Sequence, residues 1–106
     1  MFMAKKRKHK EFLILMALMD GPKHGYEVSK HIEEKSNGFF KMPFSTLYPI
    51  LHSLEKSGFV SMSLKNKESL KPKKVYRLTK KGEKQAHQEV EEFDLFFLAT
   101  KNLVPS

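Results

Sequence analysis

Apolar residues run without interruption from Phe12 to Met19, and the window 9–20 around them predicts a first helix. A helix that is apolar on every side is buried on every side. A short chain can hardly surround it, so part of its surface is expected to meet a second subunit. Asp20-Gly21-Pro22 is a stop signal. A narrower stripe, Val28 and Ile32 with Tyr26 nearby, predicts a second helix over 25–36, with Glu27, Lys30, Glu33, Glu34 and Lys35 toward water. Asn37-Gly38 closes it. Phe39, Phe40, Met42 and Phe44 then read as an apolar connector that packs down. Leu47, Ile50, Leu51 and Leu54 stand at i, i+3, i+4 and i+7, which predicts a third helix over 45–57. Its expected N-cap is Thr46, with Ser45 as the other candidate. Pro49 then falls in the first turn, where its missing N–H has no helical partner to lose.

After Ser57-Gly58 the period changes. Val60, Met62 and Leu64 alternate as in a strand, and Val75–Leu78 is the return strand, with a polar segment containing Pro72 between them. Thr79 is the expected cap of a last helix running to about Leu103. That helix carries Ala86, Val90, Phe93 and Phe97 on one face, widened by Leu95, Phe96, Leu98 and Ala99. The order helix, helix, helix, strand, strand, helix describes a mainly α (α+β) winged helix-turn-helix with a long C-terminal helix outside it. The expected division is a flexible basic arm at 1–8, a winged-helix unit at 9–79 and the final helix at 80–106.

Charge divides the chain in a similar way. Of 106 residues, 20 are Lys or Arg and 12 are Asp or Glu, for a net charge of +8. Residues 1–84 hold 19 of the basic and 8 of the acidic ones, a net of +11, while 85–106 hold one basic and four acidic, a net of −3. The basic residues gather at Lys5–Lys10 and from Lys65 to Lys84. Such clusters point to a polyanionic partner. With no cysteine, disulfide scaffolds, Cys-based zinc sites and thiol chemistry are excluded. The longest apolar run falls far short of the roughly 20 residues that span a bilayer. The expectation is a cytoplasmic protein with no signal peptide and no membrane partner. Glu83, His87 and Glu91 share one helix face, but exposed ion-pairing helices produce that spacing often, so no metal is expected. No phosphate loop or Ser/His/Asp arrangement appears, and neither a cofactor nor an enzyme is expected.

Four stretches resemble, in register, the PadR family of bacterial and archaeal transcriptional regulators. Gly21-Pro22-Lys23-His24-Gly25-Tyr26-Glu27 resembles the family's opening of the second helix. Thr46-Leu47-Tyr48-Pro49-Ile50-Leu51 resembles the start of its recognition helix. Leu54-Glu55-Lys56-Ser57-Gly58-Phe59-Val60 and Lys74-Val75-Tyr76-Arg77-Leu78-Thr79-Lys80-Lys81-Gly82 resemble its passages into and out of the wing. The likeness covers about 11–84, and the rest is similar to the short subfamily with one C-terminal helix. Two departures stand out. Phe44-Ser45 replaces the family's usual small pair before Thr-Leu-Tyr-Pro. The tryptophan that some members place on the final helix to stack on aromatic drugs has no counterpart, since the chain has no tryptophan.

The resemblance implies a dimeric repressor of double-stranded DNA that recognises a pseudo-palindromic operator. The N-terminal residues of a recognition helix approach base edges; here these are Ser45, Thr46 and Tyr48, with His52 one turn on. Lys71, Lys73 and Lys74 belong to a lysine-rich wing suited to phosphates. Lys23, His24 and Tyr26 are expected where the second helix meets the DNA backbone, with Gly25 permitting close approach. The arm at Lys5–Lys10 is a candidate for further contact. Phe12, Met16, Val90, Phe93, Phe96 and Phe97 are expected to form a homodimer surface, or to line a pocket for a small aromatic or hydrophobic effector. Two alternatives carry the same charge: a winged-helix protein–protein adaptor and a nonspecific nucleic-acid-coating protein.

Overall fold

All four predicted helices and both predicted strands form, and a third strand joins them. The computed structural model describes residues 6–105. In chain order these fold as α1 (Lys6–Met19), β1 (Lys23–His24), α2 (Gly25–Lys35), α3 (Phe44–Lys56), β2 (Val60–Lys65), β3 (Lys73–Leu78) and α4 (Lys80–Lys101). The three strands make one antiparallel sheet in the order β1-β3-β2. This is the α+β winged-helix arrangement that the element order implied.

The core gathers on the faces the periodicity marked. Ile14, Leu15, Ala17 and Leu18 of α1, Val28 and Ile32 of α2, and Leu47, Ile50, Leu51 and Leu54 of α3 are all buried together with Val60, Tyr76 and Ala86. Each fully buried large aliphatic side chain contributes about 1.5–3 kcal/mol, so the four from α3 hold that helix firmly. Tyr76 is the largest side chain in this core, and burial pushes its hydroxyl pKa up.

Several boundaries differ from the expectation. α1 begins at Lys6, so residues 6–8 belong to a helix and not to an arm, while residues 1–5 lie outside the described residues. β1 is an addition to the expected elements: Lys23 pairs with Tyr76 and His24 with Val75. The pairing uses backbone groups only, which hydropathy does not register. α3 starts at Phe44 after an N-cap at Pro43, whose carbonyl accepts from the N–H groups of Thr46 and Leu47 at 2.9 Å. Thr46 and Ser45 are therefore not caps but sit inside the first turn. Pro49 lies within the helix, beyond the first turn, and deletes the bond that the Ser45 carbonyl would receive. The connector divides: Met42 is buried and Phe40 partly buried, whereas Phe44 is half-exposed and Phe39 is 81% exposed.

Both ends of the wing are tied down. The Thr79 side chain caps α4 by accepting from the Gly82 N–H at 3.0 Å, and its hydroxyl donates to the Gly58 carbonyl at 2.6 Å. The Lys81 ammonium donates to the Ser57 carbonyl at 2.8 Å and lies 4.6 Å from the Phe59 ring centroid. α4 buries only Gly82 and Ala86, and its residues 91–99 are exposed. The molecule is accordingly long, 60 × 28 × 21 Å. No helix among the described residues is long and apolar enough to cross a membrane.

Candidate nucleic-acid interface

The outward face of α3 is defined by what its other face buries. With Leu47, Ile50, Leu51 and Leu54 turned inward, Ser45, Pro49, His52 and Lys56 are left exposed, with Thr46 and Tyr48 half-buried at the edges. At 13 residues the helix is about 20 Å long, a size that a DNA major groove admits. Among the described residues no side chain caps its N-terminus.

The start of α3 is held by α2. Ser29 donates its hydroxyl to the Met42 carbonyl at 2.7 Å, fixing the connector two residues before α3. Tyr48 lies against Gly25, where an added Cβ would come within 2.8 Å of the ring. Gly25 is thus a close-approach position, as expected, but the visitor is Tyr48 of the same chain. Tyr26 is 58% exposed, and its ring stands 6.3 Å from that of Phe44, which in turn is 5.9 Å from Tyr48. The three rings make a continuous aromatic strip across the beginnings of α2 and α3. Hydropathy alone puts Phe44 among the packed connector residues and misses its place in this strip. The available signal is Pro43, whose fixed backbone favours a helix beginning just after it.

Lys23 and His24 belong to β1 and its junction with α2. The His24 N–H donates to the Glu27 carboxylate at 2.8 Å, as in a capping box. The Lys23 side chain is only 12% exposed, and its ammonium donates to Asp20 Oδ2 at 3.2 Å. That hydrogen bond, with the charge behind it, holds the Asp20 carboxyl below its ordinary pKa. Lys23 thus has a carboxylate partner within its own turn, whereas Tyr26 is open.

The wing carries a different chemistry. Lys65, Lys67, Lys71, Lys73 and Lys74 are all exposed on β2, β3 and the loop between them. Lys65 pairs directly with Lys73 across the ladder, and Leu64 with Lys74. Like charges placed opposite each other weaken a sheet, so this pairing favours an anion that neutralises them. β2 follows α3 after the short Ser57–Phe59 turn, so lysine wing and helix belong to one continuous segment.

The expected dimer or effector residues are only partly brought together. Phe12, Met16, Val90 and Phe93 line one apolar hollow of about 470 Å³ with Leu13, Phe39 and Phe40, between α1, α4 and the connector. Phe93 stacks on the buried Phe12 ring at 6.0 Å. Phe96 and Phe97 do not line the hollow but stand exposed further along α4, with Phe97 stacked on Phe93 at 6.3 Å. Among the described residues no group of His, Asp or Glu is arranged to hold a metal ion.

A helix-turn-helix whose second helix offers a polar outer face, followed by a basic hairpin, defines a winged-helix DNA-binding protein. The profile of the Transcriptional regulator PadR-like family matches residues 14–88, and the chain belongs to that family. It is a transcriptional regulator, not an enzyme. The negative transcriptional regulator PadR of Bacillus subtilis is 29% identical over 77 residues, covering 73% of this chain and 42% of that protein. Among solved structures, a transcriptional regulator from Clostridium thermocellum superposes with a TM-score of 0.77 at 30% identity, covering 90% of this chain and 92% of that one. Bacillus subtilis PadR in complex with operator DNA superposes with a TM-score of 0.70 at 27% identity, covering 76% of this chain and 45% of that one.

Proposed function

We propose that the protein is a homodimeric repressor that binds a pseudo-palindromic duplex operator. The observation that carries this reading is the pairing of a firmly held α3, with Ser45, Pro49 and His52 outward, with a wing that sets Lys65 against Lys73. The similar Bacillus subtilis regulator, solved with operator DNA, supports the same partner here. In the proposed complex, α3 of each protomer lies in the major groove, with half-site centres about one helical turn, ~34 Å, apart. Ser45, Thr46 and His52 face the bases, Tyr48 flanks them from its place against Gly25, and Tyr26 and His24 lie toward the backbone. Lys71, Lys73 and Lys74 hold flanking phosphates.

The exposed part of α4 and the hollow beside Phe12 and Phe93 are where the second protomer packs. A small hydrophobic effector in that hollow would relieve repression only by binding one arrangement of the two protomers better than the other.

Selection of bound duplexes from a random pool tests the reading. The expected product is an inverted repeat with half-sites one turn apart. Recovery without sequence preference would identify a coating protein, and no recovery at physiological salt an adaptor. Lys73→Ala combined with Lys74→Ala should weaken binding to preferred and scrambled duplexes alike. The slope of log affinity against log salt should become shallower by roughly 0.9 for each phosphate that the variant no longer neutralises. A changed base preference in that variant would remove the phosphate role.

A further inference from the structure

Phe44 is the first residue of α3, and 47% of it is exposed. A lone exposed phenylalanine is ordinary, but this one is the middle of a strip. The Tyr26 and Tyr48 rings lie with their centroids 6.3 and 5.9 Å from its own, and Tyr48 is itself pressed against Gly25. The ring is therefore positioned by packing while one side of it stays open. It lies at the end of α3 from which a recognition helix meets base edges.

The chemistry of that position narrows the partner. A phenyl ring offers no hydrogen bond to a phosphate. The hollow beside Phe44 is bordered by Tyr26, Ser29, Lys30, Glu33 and Glu34, so its one ammonium is outnumbered by two carboxylates and nothing there turns the phenyl ring itself into a phosphate site. Among the groups that base pairs present in the major groove, the apolar one is the C5-methyl of thymine, and phenylalanine is among the side chains that meet it. Resting on the DNA-binding reading of α3, we infer that Phe44 is a specificity-determining residue that packs against the C5-methyl of one thymine in each half-site. Ser45 and Thr46, next in the helix, supply the polar contacts that Phe44 cannot.

The test deletes the methyl and the ring separately. Each thymine of a selected duplex is replaced by uracil, which removes only the methyl, and affinities are measured for the wild type, Phe44→Ala and Phe44→Leu. At one thymine per half-site the wild type should lose about fourfold, the worth of one buried methyl group. Phe44→Ala should bind the thymine and uracil duplexes equally while keeping its preferences elsewhere, and Phe44→Leu should retain part of the difference. An unchanged uracil penalty in Phe44→Ala would overturn the inference and pass the methyl contact to another residue, such as Thr46. A wild type indifferent to uracil at every position would overturn it as well. If no duplex is preferred by the wild type at all, the DNA-binding reading falls, and this inference with it. Equal melting temperatures of the three proteins, expected for a half-exposed site, confirm that folding is not what differs.

Discussion

Gly82→Ala should lower the stability of the folded protein by about 2 kcal/mol, although alanine normally favours a helix over glycine by about 1 kcal/mol. Gly82 lies buried in the first turn of α4. A Cβ there would collide with the Phe59 carbonyl oxygen and come within 2.9 Å of its carbonyl carbon. That carbonyl already accepts from the Thr79 N–H at 3.1 Å. The obstacle is backbone, so no rotamer change relieves it; α4 must lift from the base of the wing. Overpacking of this kind costs typically 1–3 kcal/mol, and a strained Thr79 cap adds about 1 kcal/mol. Together they outweigh the gain in helix propensity. Urea unfolding at fixed protein concentration measures the loss, and a variant as stable as the parent would show that α4 does not leave the wing in this manner.

How far the fold is legible in sequence follows from which residues carry it by side chain and which by backbone. Leu47, Ile50, Leu51 and Leu54 mark α3 because burial acts on each of them from one direction, and periodicity records direction. Thr79 is legible as a cap because its hydroxyl does the capping. Pro43 is not, because it caps through its carbonyl, and the neighbouring Ser45 and Thr46 look like caps on side-chain chemistry alone. β1 is two polar residues joined to β3 through main-chain groups, so nothing in its side chains announces it.

The candidate site divides along the same line. The lysines of the wing are visible in sequence because charge needs no geometry to be seen. Phe44 is misplaced because a phenylalanine reads as core until its neighbours are known. Here Tyr48 takes the close approach to Gly25, and the neighbouring Phe44 ring is left half-exposed. Lys23 errs the other way, since in sequence it is one more positive charge, while in the fold Asp20 engages it within its own turn.

If the protein is the proposed homodimer, Phe97→Asp should convert it from dimer to monomer. Phe97 is 50% exposed, stacks on Phe93 and has the Lys101 ammonium 5.5 Å from its ring centroid. In a single chain an aspartate there stays in water, so the fold is spared. Phe93 is the poorer choice for this experiment because it stacks on the buried Phe12, and a charge there attacks the protomer itself. In the proposed dimer the same aspartate is buried against the partner's apolar surface, and even with Lys101 one turn on, taking the carboxylate out of water costs several kcal/mol. Since about 1.4 kcal/mol is a tenfold change, the dimer dissociation constant should rise by at least about 100-fold, which sedimentation over a range of concentrations reads directly. DNA binding should change in a particular way. Affinity for an isolated half-site should be kept, because α3 and the wing are untouched. Affinity for the full inverted repeat should fall toward it, because the two half-sites are no longer linked. A variant that remains a dimer at wild-type concentrations would place the contact elsewhere and leave the exposed phenylalanines of α4 without the role argued for them.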